Sequence, residues 1–253
     1  VFIYLDITEC QYEVARSVFR RDLLLDEKGC VIKGFWREER KEEQTYIVNP
    51  RSGSFFLSYL KEQLISLLDR LPVDGVFLDR CDYSMFEYNH DDGISSTEHG
   101  PCYMVNFAVE EAVMELAEIA RRRGKLVMLN LPVSVETALT GDIISRDYTC
   151  RFEPEKTLFQ AFSKPCYLMY VGEDLTNLTK QLSLLNRYCV NGVLPGFDSR
   201  LMSYLVALRR VAPQRYESFV KEWGGRLELA VKNALKRSLK NKDAFREKSN
   251  LNA

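Results

Sequence analysis

The chain has 253 residues, 46% hydrophobic and 28% charged, which suffices to bury a full core as one large α/β domain or two small ones. Its 35 basic and 36 acidic side chains leave a net charge of -1, so the field of a general nucleic-acid or polyanion binder is excluded and neutral partners are expected. No apolar run approaches the roughly 20 residues that cross a bilayer, so no membrane partner is expected either.

The chain opens inside a strand, Val1 to Ile7, with no initiator Met, which predicts that one or two βα units of a longer protein precede it. A helical pattern through Val14, Val18 and Phe19 covers residues 10 to 23. Residues 24 to 50 read as an excursion, with a hairpin turn at Asp26 to Gly29, a solvated charge run at Glu38 to Glu43, and a short, weak strand at Tyr46 to Val48. A helix over 54 to 71 carries Phe56, Tyr59, Leu60, Leu64, Leu67 and Leu68 at spacings of three and four, and Pro72 ends it. Strands follow at Gly75 to Asp79, Lys125 to Asn130, Asp142 to Arg146, Pro165 to Val171 and Gly192 to Gly196. They alternate with helices at 104 to 123, 174 to 189 and 199 to 211, the first closed by Gly124. Residues 224 to 253 form a basic amphipathic helix and a polar tail, read as a cap on the body formed by residues 1 to 223.

Alternating β and α segments give a parallel sheet, either doubly wound or closed as a (β/α)8 TIM-type barrel. Two features favour the barrel. Strands end on polar groups (Asp6, Asp79, Asn130, Asp147, Asp198), and no glycine-rich dinucleotide turn follows any strand. The expected architecture is a barrel missing its first one or two βα units, with an insertion at about 24 to 50.

The seven cysteines are scattered without CxxC spacing, and His90 and His99 are the only histidines, so neither zinc nor any other metal or cofactor is expected. Free thiols favour a reducing, cytoplasmic compartment, although the sequon Asn177-Leu178-Thr179 is compatible with secretion. The acidic loop from Glu87 to His99 lacks calcium-loop spacing and reads as a solvated loop.

Asn49-Pro50 with its following helix, then Asp74-Gly75-Val76-Phe77-Leu78-Asp79-Arg80, then the loop ending Asp91-Asp92-Gly93, resembles the fourth-strand region of retaining (β/α)8 glycoside hydrolases. Asp142-Ile143-Ile144-Ser145-Arg146-Asp147 is similar to the sixth-strand segment of the α-galactosidase-like clan. The resemblance covers roughly residues 1 to 211 and implies Asp79 as nucleophile, kept ionised by Arg80 or another donor, and Asp147 as acid/base. The chain departs from the clan in lacking the tryptophan and paired aspartates of its first strand. It also has Phe77-Leu78-Asp79 where the clan has Lys-x-Asp, which leaves the sugar undefined.

A retaining glycosidase needs one carboxylate to attack the anomeric carbon and one carboxyl to protonate the leaving oxygen, about 5 Å apart. Both aspartates have a second reading as strand-end residues that cap the next helix. Arg80 is either a substrate ligand or a buried ion-pair partner. Asn130, Asp6, Tyr4 and Asp198 are candidate ligands for sugar hydroxyls, or else turn, cap and core residues. Trp36, with Tyr83, Phe86 and Tyr88, is a candidate platform for a sugar ring. The expectation is a glycoside hydrolase with a carbohydrate substrate; the alternative is a catalytically silent barrel that binds carbohydrate or a protein.

Overall fold

A computed structural model describes residues 1–34, 44–130, 132, 134–146, 164–168, 186, 189, 193–195 and 199–250. They fall into two units, Val1–Asp142 and Ile143–Ala253.

In the first unit, strand β1 (Phe2–Asp6) leads into β2 (Glu9–Gln11), helix α1 (Tyr12–Ser17) and a 3-10 turn at Arg20–Asp22. After the excursion come β3 (Thr45–Ile47), α2 (Phe55–Arg70) and β4 (Gly75–Asp79). Four two-residue strands follow in the loop, β5 (Phe86–Glu87), β6 (Ser96–Thr97), β7 (Gly100–Pro101) and β8 (Tyr103–Met104), then α3 (Val105–Arg122), β9 (Leu126–Asn130) and α4 (Val135–Thr140). Strands β1, β4 and β9 lie side by side in that order, all parallel. The second unit holds β10 (Ile143–Arg146), β11 (Cys166–Leu168) and β12 (Val193–Pro195), also parallel and in sequence order, with α5 (Ser199–Val211) and α6 (Pro213–Asn250). The structure is thus mixed α/β built on parallel strands.

The chemistry of the sequence accounts for these elements. Ser54 starts α2 by accepting a hydrogen bond from Leu57 N at 3.0 Å, and Leu71 turns extended because Pro72 follows. One face of α2 buries Phe56, Leu57, Leu60, Leu64 and Leu68; α3 buries an alanine-rich stripe including Ala108, Ala112, Ala117 and Ala120, small enough to let it lie close on β4 and β9. Against them sit Val76, Leu78, Val127 and Leu129, all fully buried, each contributing about 1.5–3 kcal/mol. Gly124 ends α3 at φ +67, a left-handed conformation that favours glycine.

Two expectations need correction. The Tyr46 segment is not a strand of the parallel sheet: β3 pairs antiparallel with β2, Tyr46 opposite Cys10. Only Ile47 of β3 is buried, whereas a strand inside a parallel sheet needs apolar residues on both faces. The helix expected over 10 to 23 is cut short at Ser17, because Phe19 turns inward to pack on Phe55, Phe56 and Tyr59 of α2. The hairpin at Asp26 to Gly29 is present: Asp26 Oδ1 accepts from Lys28 N and Cys30 N, and Gly29 adopts φ +74. Helix α6 runs unbroken through Trp223, which is buried.

Candidate active site

Strand register builds the site. In a strand, alternate side chains share a face, so Phe2, Tyr4 and Asp6 of β1 stand opposite Gly75, Phe77 and Asp79 of β4. Leu126 and Met128 of β9 extend the first two rows, and Asn130 follows them. The face is apolar for two rows and polar at the third, where the strands end. Gly75 is required in the first row, because a Cβ there would run into the Leu126 carbonyl oxygen and the Phe2 ring.

Asp79 lies at the centre of the polar row and is 2% exposed. Its Oδ2 accepts from the Tyr4 hydroxyl at 2.5 Å; its Oδ1 accepts from Asn130 Nδ2 at 2.6 Å and from Arg80 N at 2.7 Å. Three neutral donors thus fix the plane of the carboxylate. Proximity to Asp79 and, above all, burial push the Tyr4 hydroxyl well above its ordinary range, so it remains a donor at neutral pH.

Asp6 is the register partner of Asp79, with backbones about 4.8 Å apart as in any adjacent strands. Its Oδ1 accepts from Thr8 N at 3.0 Å and Glu9 N at 2.8 Å, which turns the chain from β1 into β2. Burial pushes its pKa up to about 7; those two N–H groups pull it down, and the charges of Glu9 and Asp79 add to the rise. Asp6 therefore exchanges a proton near neutral pH.

The Arg80 guanidinium turns away from Asp79. Its Nε is 3.3 Å from Glu9 Oε1, its Nη1 is 3.3 Å from Asp82 Oδ2, and its plane lies over the Tyr83 ring at 4.4 Å. Only the backbone of Arg80 touches the nucleophile candidate. That backbone is left-handed, φ 62, at a cost of about 1 kcal/mol for a residue with a Cβ. Glu9 is buried and also accepts from Thr45 Oγ1 at 2.5 Å and from the Tyr83 hydroxyl. Cys81 is fully buried, donates to Leu78 O at 3.4 Å, and has its thiol pushed far up by burial and the nearby Asp79 and Asp82 charges, so it is not a nucleophile.

The structure thus brings together Asp79, Asp6, Tyr4 and Asn130 of the expected residues, with the Arg80 backbone. Asp147, Asp198 and Trp36 lie outside the described residues. Tyr83 is buried in the Arg80 cluster, whereas Phe86 is exposed. The acidic loop is not simply solvated, contrary to expectation. Glu87 is fully buried, accepting from Asn49 Nδ2 at 3.0 Å and Asn89 N at 2.7 Å and pairing with His90 Nδ1 at 2.5 Å, because the loop packs on the 3-10 turn and the residue after it, with Asn89 Nδ2 donating to Leu23 O and His90 Nε2 2.8 Å from Arg21 O. Among the described residues, no group of three or more His, Cys, Asp or Glu side chains converges as a metal site. Glu9 escaped sequence reading, since its partners Arg80 and Tyr83 lie more than 70 residues away and no local spacing announces them.

No protein-family model matches this sequence, and no curated protein does. Among solved structures, the chain is similar to a cycloisomaltooligosaccharide glucanotransferase from Paenibacillus sp. complexed with cycloisomaltoheptaose. The TM-score is 0.50 at 10% identity, over 66% of this chain and 26% of that one. It is also matched to an α-N-acetylgalactosaminidase from Bifidobacterium bifidum in two complexes. With GalNAc the TM-score is 0.43 at 11% identity, over 78% of this chain and 31% of that one. With Gal-NHAc-DNJ it is 0.46 at 12%, over 78% and 30%. The likeness to the glucanotransferase is one of fold, and this chain spans about a quarter of that structure's length. No helix among the described residues is long and apolar enough to cross a membrane.

Proposed function

We propose that the chain belongs to a (β/α)8-barrel glycoside hydrolase that cleaves a glycan by a retaining, two-carboxylate mechanism. Asp79 is the nucleophile and Asp147 the acid/base; Asp6, Tyr4 and Asn130 hold sugar hydroxyls around the reacting carbon. Carbohydrate is the substrate class, and the fold shared with a glucanotransferase is consistent with it. The observation that carries the reading is the placement of Asp79. It is a buried carboxylate at the C-terminal tip of a parallel strand, on the same face as Asp6 and Asn130 and oriented by three neutral donors, where barrel enzymes set their catalytic groups. In the reaction, a carboxylate oxygen of Asp79 bonds to the anomeric carbon as the glycosidic bond breaks. The Asp147 carboxyl gives its proton to the leaving oxygen, then accepts one from the water that releases the sugar.

A 2-deoxy-2-fluoro glycosyl fluoride panel, incubated with the full-length protein and followed by peptide mass mapping, is expected to place a covalent sugar on Asp79. Asp79→Asn should lose the label and aryl-glycoside hydrolysis together. A second reading, a silent carbohydrate-binding barrel, is favoured by the engagement of both Asp79 oxygens by protein donors. No label and no hydrolysis, with glycan binding retained, would establish that reading instead.

A further inference from the structure

We propose that Arg80 is a positioning residue for Asp79. Its clamped guanidinium holds the Arg80 backbone left-handed, so that the Arg80 N–H points at Asp79 Oδ1. The inference rests on the reading of Asp79 as nucleophile only for its kinetic consequence, not for the geometry.

The geometry has three parts. The Arg80 peptide is held on both sides: its N–H donates to Asp79 at 2.7 Å, and its carbonyl accepts from Thr8 Oγ1 at 3.5 Å. Its φ of 62 is the only positive value at a non-glycine among the described residues, so the conformation is imposed by surroundings and not by propensity. The surroundings are specific. Glu9 and Asp82 each stand 3.3 Å from the guanidinium, which is stacked on Tyr83, and Glu9 is itself tied to Thr45 of β3 and to Tyr83. An arginine fits this cage because its planar fork offers separate N–H groups to two carboxylates while its face rests on an aromatic ring; a lysine ammonium cannot do all three. The chain of contacts runs from the β2–β3 ribbon, through the side chain, to one peptide N–H, and ends on the carboxylate.

Because the effect passes through backbone conformation, substitution has an unusual order. Arg80→Ala removes the clamp but keeps a Cβ that disfavours the left-handed region. Arg80→Gly also removes the clamp but adopts that region freely. The experiment compares 15N–1H spectra of the full-length protein and its variants, with and without Asp79→Asn. In the wild type, the residue-80 amide proton should be shifted downfield by its bond to the Asp79 carboxyl group, and Asp79→Asn should change that shift. Arg80→Ala should lose most of that response, and Arg80→Gly should recover a clear part of it. Kinetics on an aryl glycoside should run in parallel, with kcat down roughly tenfold in Arg80→Ala, KM within about twofold, and partial recovery in Arg80→Gly. Arg80→Lys, which keeps the charge, serves where the alanine variant is poorly folded, and should fall on the alanine side. An undiminished amide response in Arg80→Ala or Arg80→Lys, or a glycine variant no better than alanine, overturns the proposal. If the amide behaves as expected while the wild type hydrolyses nothing, positioning stands and the glycosidase reading fails.

Discussion

Asp6 gives the molecule a pH dependence that can be worked out from its surroundings. Its carboxyl is pushed from an ordinary 3.8 to about 7, first by burial, against the pull of the Thr8 and Glu9 N–H groups. A raised carboxyl means that the folded state keeps a proton that the unfolded chain releases. Below pH 4 both states hold it, and Asp6 costs nothing. Between about pH 4 and pH 7 the unfolded chain is ionised and gains solvation that the folded one forgoes, so stability falls as pH rises; above pH 7 the penalty is constant. Such a rise is worth at most about 4 kcal/mol, and solvent screening of a partly exposed carboxyl reduces this to about 2 kcal/mol. The perturbation of choice is Asp6→Asn, because the amide oxygen still accepts from Thr8 and Glu9 and leaves the β1–β2 turn intact. Urea unfolding at pH 5 and pH 8 is the assay. The wild type should be less stable at pH 8, whereas Asp6→Asn should lose most of that difference and be the more stable protein at pH 8. Asp82, also pushed upward by burial against the pull of Arg80, leaves a smaller slope of the same sign in both proteins. Equal pH slopes for wild type and Asp6→Asn would refute the reasoning.

Two further substitutions probe the frame that carries the site. Gly75→Ala puts a Cβ against the Leu126 carbonyl and the Phe2 ring, and since a backbone oxygen cannot move aside, it should destabilise by about 1–3 kcal/mol in urea unfolding. Asp22→Ala removes a buried carboxylate that accepts from Phe56 N at the start of α2 and pairs with Arg51 at 3.0 Å. A loss of about 3 kcal/mol is expected, with hydrogen exchange fastest in the first turn of α2, and uniform exchange across the unit would contradict this role.

The long periodic elements were legible in the sequence. Helices α2 and α3 match the expected spans to within a residue or so, because their apolar stripes, the Ser54 cap, Pro72 and Gly124 are all local signals. Strand β4 was equally clear, and so was its ending on Asp79. Short elements failed where a distant partner decides the outcome. Nothing near Tyr46 says that it will pair with Cys10, and nothing near Phe19 says that it will leave the helix to meet Phe55 and Phe56. Asn130 and Tyr4 were recognised as strand residues with polar ends, but that both would donate to the same carboxylate follows only from parallel register, which a single strand does not contain.

The same distinction explains why the excursion matters to the strand tip. In sequence, residues 24 to 50 look separable from the sheet, and the ribbon of β2 and β3 could pass for decoration. Yet β2 begins with Glu9, three residues beyond Asp6, and Glu9 is held from the other strand of the ribbon by Thr45. A carboxylate buried there without Arg80 would be costly, and an arginine buried beside Asp79 without Glu9 and Asp82 would be equally so. Each residue therefore fixes the other, and together they set the one peptide N–H that reaches Asp79 from its own strand. Tyr4 and Asn130 orient the carboxylate from the neighbouring strands. Arg80 does so from the position just past the end of β4, and its accuracy depends on how firmly the ribbon is attached. A substitution at Thr45 should then weaken the residue-80 amide response without touching the site directly, whereas one at exposed Ser96 on β6 should not.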